Sequence, residues 1–185
     1  MAKLIYPINV SLDGYMEDER GNNDWGVSDD ETYAFWTDFQ RTIGTYLYGR
    51  RMYESMVYWE TADASPQQPE EVREFAQIWR AADKIVYSRT LQAASSAKTR
   101  IEREFDPDAI RRLKSSSGAD MTISGPELAG LAMSAGLIDE CHLLLNPVVL
   151  GRGKRALPDN LRTRLELLDE RRFRSGVVHL HYRVI

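Results

Sequence analysis

Apolar and polar positions change period repeatedly along this chain, and the period sorts most of it into short strands and helices. Lys3 to Val10 is a largely apolar run with strand-forming residues. It stops at the turn signal Ser11-Leu12-Asp13-Gly14, which predicts a first strand. From Asp13 to Asp30 the sequence is acidic, rich in Gly and Asn and broken by Trp25, which predicts a long loop over a site. Ser28 as N-cap, with Glu31 three residues on, predicts a capping box that opens a helix running to about Thr42. Along that helix Tyr33, Phe35, Trp36 and Phe39 fall near i, i+3 and i+4 spacing. This is an aromatic face, mainly core, with a minority of rings lining a pocket.

The next segments alternate. Thr45 to Tyr48 reads as a strand, ended by Gly49 and followed by helix-forming Arg50 to Met56. Pro66 to Arg80 reads as a helix carrying Val72, Phe75, Ile78 and Trp79, and Lys84 to Tyr87 as a buried strand closed by Ser88-Arg89-Thr90. After a polar stretch, Asp106 to Leu113 predicts a helix, Asp120 to Ile123 a strand stopped by Ser124-Gly125-Pro126, and the sequence from there to Ala135 a further helix. Ile138 to Leu150 is apolar almost throughout, as an interior strand is, and ends at Gly151-Arg152-Gly153. Leu165 to Arg174 and Gly176 to Ile185 predict a terminal antiparallel hairpin. Strands alternating with helices to residue 150 predict an α/β sandwich, a mostly parallel sheet with helices on both faces.

Composition narrows the class. With 185 residues, 43% of them hydrophobic, residues 1–185 are expected to form one domain with its own core. No run approaches the roughly 18 apolar residues of a membrane span, and the opening residues enter strand-like sequence directly, so a soluble cytoplasmic protein without membrane contact is expected. Cys141 is the only cysteine, which excludes an internal disulfide. The net charge of −4 disfavours a nucleic-acid partner. Residues 1–40 hold nine acids against Lys3 and Arg20, so the remainder of the chain is net positive and suited to an anion.

In open α/β sheets the ligand lies beyond the carboxyl ends of the strands. Those ends here are Ser11 to Gly14, Gly49-Arg50, Ser88 to Thr90, Ser124 to Glu127 and Gly151 to Gly153, all glycine-bearing, basic or hydroxylated. At Gly49 and Gly125 a glycine directly precedes a helix, so first-turn N–H groups and the positive dipole end can face one anion, and two such ends suit a pyrophosphate. Arg50, Arg51 and Arg89 can add charge-assisted hydrogen bonds to phosphate. Neither G-x-G-x-x-G nor G-x-x-x-x-G-K-[ST] occurs, and no Ser sits in G-x-S-x-G, so the usual dinucleotide fold, the P-loop and a hydrolase triad are disfavoured. His179 and His181 alternate onto one face of the hairpin. No third ligand is apparent, and an ordinary hairpin face without a metal is expected.

Several segments, in this order, resemble one family. They are Ile8-Asn9-Val10-Ser11-Leu12-Asp13-Gly14, Gly49-Arg50-Arg51-Met52-Tyr53-Glu54, Val86-Tyr87-Ser88-Arg89, Ile123-Ser124-Gly125-Pro126-Glu127-Leu128, Gly136-Leu137-Ile138-Asp139-Glu140 and Asn146 to Gly153. The chain resembles the dihydrofolate reductase-like superfamily, and more narrowly the C-terminal reductase domain of the deaminase-reductase of riboflavin biosynthesis, as a stand-alone member. The resemblance implies a three-layer sandwich around a mixed sheet of about eight strands, NADPH as hydride donor and a homodimer. It places Gly49, Arg50, Arg51 and Met52 against the cofactor phosphates, Ser88 and Arg89 at the adenosine 2′-phosphate, and Ser124, Gly125, Pro126 and Glu127 beside the pyrophosphate. The family often has two consecutive glycines where this chain has Ser124-Gly125.

For the substrate half, Asp13 matches the Asp of the riboflavin-type Ser-Leu-Asp-Gly stretch near the nicotinamide. Asp30, with Asp29 and Glu31, is the nearest equivalent to the acid that binds the pterin ring in folate reductases. Asp13 and Asp30 are therefore the candidate catalytic acids, while Leu150 and Gly151 match a loop that approaches substrate. A flat heteroaromatic acceptor would stack on Trp25, Phe35 or Trp36. The expected activity is hydride transfer from NADPH to a small heteroaromatic molecule such as a ribosylamino-pyrimidine. A dihydrofolate or pteridine reductase, and a non-catalytic protein that sequesters a nucleotide or ligand, stand as alternatives.

Overall fold

A computed structural model describes residues 1–27, 29–63, 67–159 and 161–185. Strand β1 (Leu4–Ser11) is buried at seven of its eight positions. It lies between β6 (Asp120–Ser124) and β7 (Glu140–Asn146), parallel to both, so neither edge of it meets solvent. On the other side of β6 come β3 (Ile43–Gly49), β4 (Asp83–Tyr87) and β5 (Thr99–Glu102), all parallel. Beyond β7 the hairpin of β10 (Val178–Val184) and β9 (Leu165–Arg172) continues the sheet antiparallel. The eight-stranded order is β5-β4-β3-β6-β1-β7-β10-β9. A separate ribbon pairs β2 (Tyr15–Asp18) with β8 (Gly153–Arg155).

Because strand side chains alternate, each face of the sheet has its own core. Leu4, Tyr6, Ile8 and Val10 join Leu47, Ile85, Met121, Ile123 and Cys141 on one face, under α4 (Pro107–Ser116) and α5 (Pro126–Ser134). Ile5, Tyr46, Tyr48 and Val86 form the other face, under Phe75 and Trp79 of α3 (Glu70–Ala81) and Tyr53 of α2 (Arg50–Met56). Tyr33, Trp36 and Phe39 of α1 (Asp30–Gln40) pack on the edge of that core and stay half-exposed. The three-layer dihydrofolate reductase-like sandwich, the mostly parallel sheet and the terminal hairpin are thus as expected.

Several boundaries differ from the sequence reading. The acidic stretch 13–30 contains β2, and the polar stretch after Thr90 contains β5. The apolar run 138–150 forms a strand only to Asn146, since Pro147 has no N–H for the ladder. The helix α3 starts at Glu70, not at Pro66, a residue outside the described set. The helix α1 is capped by Asp29, whose carboxylate accepts from the Thr32 backbone N–H at 2.8 Å while Thr32 Oγ1 accepts from the Asp29 N–H at 3.1 Å. Ser28, the expected cap, lies outside the described residues. The sequence rule looks for Glu or Gln at the third helical position; Thr32 does the same work with a shorter side chain.

Candidate active site

All of β1, β3, β4, β5, β6 and β7 point their carboxyl ends the same way, and a cleft of about 620 Å³ opens over the ends of β3, β4, β5 and β6. Gly49 to Met52 form one wall, Tyr87 to Arg89 with Arg103 to Phe105 a second, and Gly125 to Leu128 a third. The β2–β8 ribbon closes the remaining side with Met16, Glu17 and Lys154. The volume lies within the ordinary range for small-molecule sites.

Two helices start in this cleft without a side-chain cap. Gly49 precedes α2 and Gly125 precedes α5, and among the described residues neither helix receives a side-chain hydrogen bond at its first turn. The orphan N–H groups of the nine-residue α5 therefore face the opening. Gly125 has φ +103 and ψ 124, a conformation reserved for glycine, and a Cβ placed on it would stand 4.0 Å from the Gly49 backbone nitrogen. Backbone thus meets backbone where the two helix starts converge.

Around them stand Arg50, Arg51, Arg89, Arg103 and Lys154 against Glu17, Glu104 and Glu127. Arg89 is 80% exposed and its nearest carboxylate, on Glu104, lies 3.7 Å away and is equally exposed, so the guanidinium is poorly neutralised. Arg50 is held in place by Glu54 at 2.7 Å and Thr90 Oγ1 at 2.7 Å. Arg103 donates to the carbonyls of Ser88 at 2.8 Å and Leu91 at 2.7 Å, pinning the loop that carries Arg89. Lys154 reaches across to Glu127 at 3.0 Å. The cleft thus gathers five cationic side chains against three carboxylates, a surface suited to an anion.

Of the expected cofactor residues, Gly49, Arg50, Arg51, Met52, Ser88, Arg89, Gly125, Pro126 and Glu127 line this one cleft. Ser124, at the end of β6 in register with Tyr48, stands behind Gly125 rather than on the cleft surface. Arg103, Phe105, Lys154 and Met16 escaped the sequence reading. The signal for Arg103 and Phe105 was the strand-end rule itself, applied to a strand, β5, too short and too charged to show a period.

The expected substrate residues lie elsewhere. The Asp13 carboxylate accepts the backbone N–H of Leu150 at 3.0 Å and of Gly151 at 2.7 Å, and the Ser11 hydroxyl at 2.7 Å. Those bonds, led by Leu150, hold its pKa below the ordinary carboxylate value. Asp13, Leu150 and Gly151 therefore form one unit, a loop clasp. Trp25 donates its indole N–H to the Asn22 carbonyl at 3.1 Å, and its neighbour Asn23, rather than Trp25, reaches the cleft. Phe35 packs edge-on against Phe173 at 5.3 Å and does not line the cleft. Asp30 is exposed in the first turn of α1, where its charge suits the helix dipole.

A mostly parallel eight-stranded sheet between helices, closed by a terminal antiparallel hairpin, is the dihydrofolate reductase-like class of fold. Within that class, residues 2–179 match the RibD C-terminal domain, and the chain belongs to that family. It is 31% identical over 182 residues to YyaP of Bacillus subtilis strain 168, an uncharacterized protein, covering 97% of this chain and 94% of that one. A second uncharacterized protein of that organism, YwjB, is 29% identical over 187 residues, 97% of each chain. Among solved structures, a riboflavin-biosynthesis-type protein from Shewanella sp. PV-4 superposes with a TM-score of 0.76 at 18% identity, over 100% of this chain and 99% of its own. The deaminase/5-amino-6-(5-phosphoribosylamino)uracil reductase of Thermotoga maritima gives 0.69 at 13% identity, over 100% of this chain and 57% of its own. Among the described residues no helix is long and apolar enough to cross a membrane.

Proposed function

We propose that this protein is an NADPH-dependent reductase that delivers a hydride to a small heteroaromatic acceptor of the ribosylamino-pyrimidine kind. The observation that carries the reading is the meeting of Gly49 and Gly125, two uncapped helix starts, inside a cleft ringed by Arg50, Arg51, Arg89 and Arg103. Small backbones, free N–H donors and the poorly neutralised guanidinium of Arg89 fit a pyrophosphate with a further terminal phosphate. When bound, the reduced nicotinamide supplies the hydride, and the protein's part is to bind, orient and keep water away.

On this reading Arg89 takes the 2′-phosphate, and Arg103 acts through it by fixing its loop. Gly49 to Met52 and Gly125 to Glu127 hold the pyrophosphate. Asp13 keeps the Leu150–Gly151 loop in place near the acceptor. Being held ionised, it has no proton to give near neutral pH, which leaves water as the proton source. The same reading takes the protein as cytoplasmic and homodimeric, and light scattering tests the second point.

The test is a binding titration with NADPH and NADH, followed by NADPH oxidation across a panel of pyrimidines, pterins and quinones. NADPH is expected to bind more tightly than NADH, and Arg89→Ala to erase the difference. Equal affinity for both coenzymes in the wild type refutes the role of Arg89, and no binding of either refutes the reductase. Binding without turnover over the whole panel leaves a sequestering protein in its place.

A further inference from the structure

Away from the cleft, β7 and β10 pair so that His142 and His181 lie directly opposite each other. Their rings stack at 4.0 Å between centroids. Two residues before His142, and therefore on the same face of the strand, Glu140 offers its Oε2 to His181 Nε2 at 3.0 Å. One ligand atom from each of Glu140, His142 and His181 lies within 4.8 Å of the others. Glu140 and His142 are buried, while His181 keeps 21% of its side chain exposed, which gives the cluster an entry path. Nothing in the proposed reduction uses these groups, since they sit toward the amino end of β7 and the cleft lies over the carboxyl ends of the parallel strands.

We infer that Glu140, His142 and His181 bind a divalent cation of the zinc type. Two imidazoles and one carboxylate are a donor set such ions favour, and it leaves a fourth position for water. Donor atoms around a tetrahedral zinc stand about 3.3 Å apart, from bonds of about 2.0–2.1 Å, so the cluster needs only a modest contraction. His181, half-buried at the mouth, has the freedom to make it.

The surroundings already have the form of an outer shell. A metal on His142 Nε2 requires the proton on Nδ1, and that atom lies 3.1 Å from His179 Nε2, a buried acceptor for it. Glu140 Oε1 is held by Lys3 Nζ at 2.7 Å, which fixes the carboxylate and leaves Oε2 turned inward. Phe39 packs its ring 4.7 Å from that of His142, and Phe35 packs 4.6 Å from His179, so α1 roofs the site with apolar rings. The metal would clasp the terminal hairpin to the parallel part of the sheet.

The experiment uses the full chain without an affinity tag, stripped with a chelator and titrated with Zn²⁺ against a chromophoric indicator, then with Co²⁺ for its visible spectrum. One equivalent of zinc per chain is expected, with a tetrahedral cobalt spectrum and a melting temperature raised by zinc. His181→Gln and Glu140→Gln should lose the uptake. His179→Gln, in the positioning shell, should weaken it about 10–100-fold. Circular dichroism of the metal-free variants checks that they fold. Wild-type protein that takes up no zinc, or His181→Gln and Glu140→Gln variants that fold and take it up as well as wild type, would overturn the inference. Arg89→Ala should bind zinc normally, so failure of the reductase reading and failure of the metal site are told apart.

Discussion

Replacing Gly125 and Gly49 by alanine, one at a time, separates backbone conformation from space in the cleft. At Gly125 the added methyl would touch only the Gly49 nitrogen, at 4.0 Å, an ordinary van der Waals distance. The cost is therefore conformational: a non-glycine residue held at φ +103 stores about 1–3 kcal/mol. For a chain of this size each kcal/mol lowers the melting temperature by about 2–4 °C, so Gly125→Ala should melt roughly 2–12 °C below wild type. At Gly49 φ is −69 and a methyl meets nothing within 4 Å. There the lost preference for Gly at an N-cap and the gain from a stiffer unfolded chain are comparable and opposite, so stability should change by about 0.5 kcal/mol or less. Urea denaturation followed by tryptophan fluorescence measures both, and NADPH titration measures what each methyl does to the opening. A Gly125→Ala protein as stable as wild type, or a Gly49→Ala protein that loses as much, would refute the account of how α5 begins.

Other expectations follow from single contacts. Asp13→Asn removes the anion that accepts the Leu150 and Gly151 N–H groups, and should raise KM for the acceptor while leaving NADPH affinity within about twofold; a change confined to NADPH would contradict that placement. Lys84 is buried, donates to the Trp79 carbonyl at 3.1 Å and lies 4.3 Å above the Trp79 ring, and burial lowers its pKa. A lowered folded-state pKa means that the folded protein binds fewer protons than the unfolded one in the window below the ordinary lysine value. The stability of wild type relative to Lys84→Met should therefore rise as the pH climbs toward the ordinary lysine value, and a flat difference over that approach would dismiss the idea. Trp79→Phe leaves the buried Tyr48 hydroxyl without the indole donor it meets at 3.2 Å and should cost about 1–3 kcal/mol in denaturant unfolding.

Much of the fold was legible because the chain obeys one rule per level. Apolar runs that are interior strands, as at β1 and β7, announce themselves by continuity. Gly49 and Gly125 announce themselves by standing between a strand and a helix. What escaped is short or distant. The strands β2, β5 and β8 have three or four residues, and in β5 charged Arg100 and Glu102 stand where a period would be read. They form because neighbours supply the other half of the ladder, which no local pattern records. The basic walls of the cleft were readable from strand ends. The places of Asp13 and Trp25 were not, because their partners, Gly151 and Asn22, depend on how the loops close. His142 and His179 are 37 residues apart, and only the register of β7 against β10 brings their rings together.

The place of β1 at the centre of the sheet bears on how the polypeptide matures on the ribosome. Its amide at Leu4 is anchored by Asp139, 135 residues downstream, and its ladder partners lie on β6 and β7. At roughly 5–20 residues per second the segment emerges on the order of ten seconds before the strands that flank it. The most enclosed strand of the finished molecule thus spends the synthesis of more than a hundred residues without a mate. Trigger-type chaperones that grip short apolar stretches would find their natural purchase on residues 4–10, and any pause in decoding before residue 140 would lengthen the time during which this stretch can associate with the wrong neighbour.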